Sequence, residues 1–225
     1  MKKYPVIVVS APSGAGKTTL NTMLVKEVDE LEISVSHTTR KPRAGEAHGV
    51  HYHYIEEQEF RSKIEQGDFI EWAHVHTSYY GTSFGELERI RAKGHIPILE
   101  IDVQGWMKVR SRIQNALSIF IAPPSLKILW DRLEGRQSEN IAQRWVRFKN
   151  AIKEIEFSKE YQIVIVNDDL SRAYQELKSC ILGDDKDFSQ ITRHNREHCE
   201  KLLKEFEDAE WIQELYIKAE QFARV

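Results

Sequence analysis

The sequence predicts an α/β fold: a mostly parallel sheet covered on both faces by helices. Three observations carry this. Apolar, β-branched runs at residues 6–10, 96–102, 117–122 and 162–166 have the length of buried strands. Each is followed by a stretch of helical periodicity, the alternation that builds parallel sheets. The first run breaks into a small-residue loop ending in Gly16-Lys17-Thr18 at the start of a helical pattern, which makes the sheet one of the P-loop NTPase type.

Bulk properties narrow the class. A chain of 225 residues accommodates one ordinary domain, or one with an appendage. Hydrophobic content of 41% supports a packed core, and 30% charged residues give a polar surface. A net charge of −3 gives no global attraction to nucleic acid or membrane. No apolar run approaches the ~18 residues of a spanning helix, and Met1-Lys2-Lys3-Tyr4-Pro5 passes straight into the first strand without a secretion signal. Cys180 and Cys199 have neither metal-type nor redox spacing. The cytoplasm is the expected compartment.

The loop Ala11-Pro12-Ser13-Gly14-Ala15-Gly16-Lys17-Thr18-Thr19 follows the first strand. The backbone N–H groups of Ser13 to Lys17 are expected to converge on phosphate oxygens, helped by the helix dipole. Lys17 brings a point charge to the transferring phosphate and Thr18 a hydroxyl for Mg²⁺. Ala11 stands where the usual motif has its first glycine. A nucleoside triphosphate is the expected ligand. Leu20, Met23, Leu24 and Val28 then mark a helix to about residue 29, and residues 33–36 alternate as a short strand. Residues 37–93 are rich in aromatics, histidines and glycines and read as an inserted subdomain, with helices at 57–66 and 83–93. Pro123-Pro124 ends one of the later strands and leads into a helix at 125–133. Gly183 stops a helix at 174–182. Residues 184–225 place Leu202, Phe206, Ala209, Ile212, Tyr216 and Ala219 three or four apart, one amphipathic helix of up to roughly seven turns. It packs on its own domain, serves self-association or another partner, or forms a tail.

Ser36-His37-Thr38-Thr39-Arg40-Lys41-Pro42-Arg43-Ala44-Gly45-Glu46 sets two arginines three apart beside a turn, a geometry that suits phosphate oxygens. Tyr52, Ile70-Glu71-Trp72 and Tyr79-Tyr80-Gly81-Thr82 follow. With Glu100-Ile101-Asp102-Val103-Gln104-Gly105, Arg132-Leu133-Glu134-Gly135-Arg136 and Ile165-Val166-Asn167-Asp168-Asp169, these motifs resemble, in order and spacing, the guanylate kinase family from about residue 6 to 182. The resemblance implies a kinase domain over 1–183, with a core at 1–36 and 94–183, a GMP-binding insert at 37–93 and a lid near 134–150. Residues 184–225 form a helical extension.

For the site, the resemblance implies that Arg40, Arg43, Tyr52 and Tyr80 hold the GMP phosphate, with Glu46 and Gly81 in the same pocket. Ser36, Glu71 and Thr82 face the guanine. Glu100 and Asp102 lie near the phosphates and the Mg²⁺ held by Thr18. Arg136 and Arg147 are lid arginines over ATP, and Asn167 stands on the adenine side. Within the lid, Gln137-Ser138-Glu139 and Arg144-Trp145 depart from the family pattern. The chemistry agrees: guanine offers N1–H and the N2 amino group side by side to one carboxylate, whereas adenine faces it acceptor to acceptor. A buried Glu71 left unpaired costs roughly 10³-fold or more in discrimination. No dedicated general base is needed, because the attacking phosphate is anionic. Alignment, Mg²⁺ and the charges of Lys17, Arg40, Arg43, Arg136 and Arg147 suffice. His48, His51 and His53 read as a polar strand face rather than a metal site.

The expected reaction is ATP + GMP giving ADP + GDP, with dGMP as a second acceptor. Two alternatives are a phosphopeptide-binding module of guanylate-kinase-like type and a kinase acting on a ribose phosphate. The presence of Lys17, Thr18, Asp102 and the lid arginines Arg136 and Arg147 opposes the first. Glu71 with Ser36 and Thr82 opposes the second.

Overall fold

The computed structural model describes residues 4–75, 77–134, 140–183 and 188–223. Among them, no helix is long and apolar enough to cross a membrane. The chain forms two compact units, Met1–Val9 with Leu24–Leu117, and Ser10–Met23 with Ser118–Val225.

The chain begins with β1 (Ile7–Ser10) and passes through α1 (Lys17–Glu27) to β2 (Leu31–Ile33). An excursion then builds β3 (His37–Thr38), β4 (His53–Tyr54), α2 (Glu57–Glu65), β5 (Phe69–Val75), β6 (Ser78–Ser83) and α3 (Phe84–Ala92). In the first unit, β7 (Ile96–Glu100) pairs in parallel with both β1 and β2, setting Ile98 opposite Ile7 and Ile96 opposite Leu31. Val6 to Val9 are wholly buried, as expected of a strand covered on both faces. α4 (Val103–Arg112) follows, capped by the Asp102 side chain.

The excursion forms a second sheet in the order β4-β3-β6-β5. β5 and β6 are antiparallel, with a register shift between Phe69 and Glu71 that places Glu71 directly across from Thr82. Phe60 of α2 stacks on Phe69 at 4.4 Å and on Tyr79 at 5.3 Å beneath this sheet. The strand expected at 33–36 lies earlier, at Leu31–Ile33. Ser34 still bonds Ile98 O, but the Val35 N–H turns out of the sheet to the Glu86 carboxylate at 2.8 Å.

In the second unit, β8 (Leu117–Ala122) is buried throughout and leads through the Ser125 cap into α5 (Leu126–Leu133). α6 (Ile141–Glu156) opens with a capping box between Asn140 and Gln143. β9 (Ile163–Val166) runs parallel to β8, and α7 (Leu170–Leu182) follows behind the Asp169 cap.

The segment expected to be one long helix is two: α8 (Ser189–Asp208) and α9 (Glu210–Ala223), broken at Ala209 with φ −78° and ψ 126°. Phe206 and Tyr216 explain the break, since both rings reach Trp145, at 6.1 and 5.9 Å. Ten residues of straight helix span about 15 Å, too far for both to share one indole. α8 covers the open side of β9: Asn195 Nδ2 donates to Val164 O at 2.8 Å and Arg196 to Tyr161 O at 2.6 Å. Leu202, Ile212 and Ala219 are buried, and the Cys199 thiol is buried beside Ser158. The extension thus packs within its own unit.

Candidate active site

Sheet pairing brings Ser36, Glu71 and Thr82 together from three separate motifs. Thr82 Oγ1 donates to Glu71 Oε1 at 2.7 Å and lies 3.1 Å from Ser36 Oγ. Because the single Thr82 hydroxyl proton goes to the carboxylate, Ser36 is the donor to Thr82. Glu71 is only 7% exposed. Burial pushes its carboxyl above the usual range, the nearby Asp102 charge adds to the rise, and the Thr82 bond works against it. Glu71 Oε2 sits over Gly105 in the first turn of α4, where an added Cβ would lie 3.2 Å from it and 3.1 Å from Ile101 Cβ. Glycine there lets the helix approach the carboxylate. Asp102 itself is exposed, and its Oδ1 accepts the Gly105 N–H at 2.7 Å.

Glu46 organises the arginine turn. It accepts both contacts from Arg40 at 2.9 Å, the Arg43 backbone N–H at 2.7 Å and the Tyr54 hydroxyl at 2.8 Å. The Arg43 N–H, with the Tyr54 and Arg40 hydrogen bonds, holds its carboxyl down at about 2. Arg40 stands over the Tyr52 ring at 5.5 Å, and Tyr52 meets Tyr80 at 5.9 Å. Arg43 has an exposed side chain. Tyr54 was not singled out from the sequence, although Tyr52-His53-Tyr54 repeats tyrosine at the strand period of two. Glu86 was also missed. It is a buried carboxylate that fixes Val35, next to Ser36, and is itself bound by Arg89 at 2.8 Å. Gly81 is buried in β6 opposite Trp72, where its place is in the pairing of the sheet. Glu100 is half-buried at the end of β7, near enough to Tyr52 to help raise its hydroxyl pKa behind burial and Tyr80.

The histidines are otherwise engaged. His48 Nδ1 accepts from Tyr54 N at 3.2 Å and His51 Nδ1 from Ala47 N at 3.1 Å, while His53 lies 3.6 Å from Glu86. Among the described residues no group of three or more His, Cys, Asp or Glu side chains is placed to hold a metal ion.

In the second unit a cavity of about 720 Å³ is walled by Ala11 to Gly14, Gly16 to Thr19, Arg132, Glu154, Asn167, Asp168 and Leu170. The Ala15 N–H donates to Pro12 O at 3.0 Å, closing a turn within the loop. Asn167 Nδ2 donates to Ala15 O at 2.7 Å, tying the end of β9 to the loop. Gly16 has φ +93°, and a Cβ there would come 2.4 Å from Asn167 Nδ2, so only glycine fits. Arg132, quoted within a motif but not assigned a role, reaches Gly14 O at 3.4 Å.

Arg147 donates to Ser13 Oγ at 3.0 Å and to Leu133 O at 3.3 Å. Arg136 lies outside the described residues. The unusual Arg144-Trp145 pair is structural. Arg144 stacks over Trp130 at 4.0 Å and donates to its carbonyl oxygen at the end of α5, while pairing with Glu134 at 3.0 Å. Trp145, expected inside a mobile lid, is 5% exposed and packed among Trp130, Phe148, Phe206 and Tyr216.

Residues 3–183 match the guanylate kinase family profile. A guanylate kinase of Neisseria meningitidis serogroup A is 47% identical over 182 residues, covering 80% of this chain and 88% of that protein. One from Geobacter metallireducens is 46% identical over 185 residues, covering 82% and 91%. The crystal structure of guanylate kinase from Anaplasma phagocytophilum superposes with a TM-score of 0.62 at 29% identity, covering 91% of this chain and 95% of that one.

Proposed function

The chain belongs to the guanylate kinase family, and on that premise we propose how it carries out the transfer of the ATP γ-phosphoryl group to GMP, giving ADP and GDP. The observation that carries the acceptor reading is the buried Ser36–Thr82–Glu71 chain. Thr82 occupies Glu71 Oε1, and guanine N1–H and N2–H are the donors that suit the remaining acceptor positions of the carboxylate. AMP brings no such donors to that edge. Pairing with guanine also compensates the burial that raises the Glu71 pKa.

Arg40, Arg43, Tyr52 and Tyr80 take the GMP phosphate. Glu46 holds Arg40 in one orientation, so little side-chain freedom is lost on binding. The loop cavity takes the ATP phosphates, with Lys17 on the transferring group, Arg147 beside it and Asn167 keeping the loop in shape; for Arg136, outside the described residues, the donor role rests on the family resemblance alone. ATP enters as its Mg²⁺ complex. Thr18, on the cavity wall, offers a hard oxygen donor of the kind this ion prefers, and the family resemblance adds Asp102, the exposed cap of α4. When bound, Mg²⁺ neutralises charge on the β- and γ-phosphates. The protein's own work is to align an anionic acceptor in line with the γ-phosphate and to surround it with fixed positive charge. The base and phosphate contacts involve no 2′-hydroxyl, so dGMP is proposed as a second acceptor. A cytoplasmic kinase domain over 1–183 with a helical extension completes this reading.

The test is a coupled assay of purified protein with ATP–Mg²⁺ against GMP, dGMP, AMP and ribose phosphates. GDP and dGDP formation is expected, with AMP and ribose phosphates turned over at least about 10³-fold less efficiently. Equal kcat/KM for AMP and GMP would overturn the assignment of Glu71.

A further inference from the structure

We infer that the C-terminal helices α8 and α9 are a positioning element for the donor site: they hold α6, and through it Arg147, against the phosphate loop. The inference rests on the assignment of the loop cavity to ATP.

Arg147 lies between two buried rings of α6, Trp145 at 5% exposure and Phe148 at 0%. Phe206 of α8 stacks on Trp145 at 6.1 Å with the ring planes 21° apart, and lies 5.8 Å from Phe148. From α9, Tyr216 meets Trp145 at 5.9 Å and Trp211 meets Phe148 at 6.3 Å. All three partner rings come from beyond residue 183, where the family match ends. Trp130 of α5 closes the cluster at 5.4 Å from Phe148, and Arg144 locks α6 to the carbonyl end of α5.

Moving α6 as a lid would draw two large aromatic side chains out of this cluster into water. The helix is therefore tied into its unit, and the Arg147 guanidinium lies at Ser13 and Leu133. A cation set in place beforehand spares the ordering cost that a swinging arginine meets at each binding event. The extension thus contributes to donor affinity without touching the donor. Phe206 is its central positioning residue, since it alone among the three extension rings contacts both Trp145 and Phe148.

The experiment is a double-mutant cycle on the full chain with Phe206→Ala, Arg147→Ala and the combination. Steady-state kinetics and calorimetric binding of Mg²⁺–ADP provide the readouts. Phe206→Ala is expected to raise KM for ATP and Kd for ADP about tenfold, with KM for GMP unchanged within about twofold. On the Arg147→Ala background the same change should add nothing, and Phe206→Leu should restore most of the loss. Additive losses, equal losses for GMP, or unchanged ADP binding in folded Phe206→Ala would overturn the proposal. If Phe206→Ala does not fold, Tyr216→Ala tests the same coupling, because that ring is 48% exposed and its loss is tolerable. Failure of the wild-type chain to bind ADP would overturn the donor-site assignment itself and the proposal with it.

Discussion

Glu71 is a carboxylate held in a place that disfavours its charge, and its best compensation is a ligand with two adjacent donors. Glu71→Gln should therefore lower kcat/KM for GMP by about 30-fold, near 2 kcal/mol, with the GMP/AMP ratio falling in step. The pH dependence has a definite sign. Only the ionised carboxylate accepts from both guanine donors, so GMP affinity should weaken as pH falls through the raised Glu71 pKa. The Gln variant should keep only the titration of the acceptor phosphate itself, with its second pKa at about 6, and a wild-type profile identical to it would contradict the ionised-acceptor reading. His37 has the opposite environment for a base. Burial, with the charges of His53 and Lys63, depresses its imidazole to about 4. It stays neutral in the fold while the unfolded chain takes up its proton below about 6.5. Stability should consequently decline between about pH 6.5 and about pH 4, and His37→Phe should reduce that slope in urea melts taken across the window. Ser36, Arg40, Glu71 and Thr82 could be singled out as candidates because each sits in a short motif that resembles the family's. Glu86 could not, because its partner Val35 lies 51 positions away and no local pattern links them.

At the scale of elements, strands were found wherever β-branched runs were continuous, and helix starts wherever Ser125 or a Gly-Lys-Thr loop preceded them. Ends set by tertiary bonds were missed, as at Val35. The link between β9 and the phosphate loop rests on one amide. Asn167→Asp replaces the donor to Ala15 O with an acceptor at 2.7 Å, setting oxygen against oxygen. The loss should be about 1–3 kcal/mol, read as a rise in KM for ATP with KM for GMP little changed. Gly105→Ala probes the other site at the level of helix approach. Alanine favours a helix interior, yet its Cβ would press on Ile101 and Glu71 Oε2 at 3.1 and 3.2 Å. KM for GMP should rise while thermal stability changes little. A variant with unaltered GMP kinetics would show that Glu71 has room to move.

For the whole molecule, the sequence pattern identified the C-terminal segment as helical and amphipathic but not its course. No glycine or proline marks the break at Ala209, because the cause is distant: Trp145, more than sixty positions earlier, draws rings from both helices. For the same reason the departure of Arg144-Trp145 from the family pattern had no local explanation: Trp145 packs in an aromatic cluster and Arg144 stacks over Trp130. Truncation after Gly183 now has a different expected outcome from removing an idle appendage. It would strip Asn195 from Val164 O and Arg196 from Tyr161 O, and uncover Trp145 and Phe148. Each large apolar side chain uncovered costs about 1.5–3 kcal/mol, so residues 1–183 alone should melt at markedly lower temperature or aggregate through the bared side of β9. A truncated chain with wild-type stability would refute the packing described for α8.

The two thiols turn this architecture into a chemical clock. Burial pushes Cys180, on α7, up to about 12, and Cys199, on α8 beside Ser158, up to about 11. Neither presents a thiolate to an alkylating reagent while the fold is closed. Labelling of Cys199 therefore measures how often α8 lifts from its unit, and labelling of Cys180 how often α7 opens. If the extension detaches as a piece, Cys199 will react well ahead of Cys180. Equal rates would mean that the added helices and the kinase domain beneath them open only together.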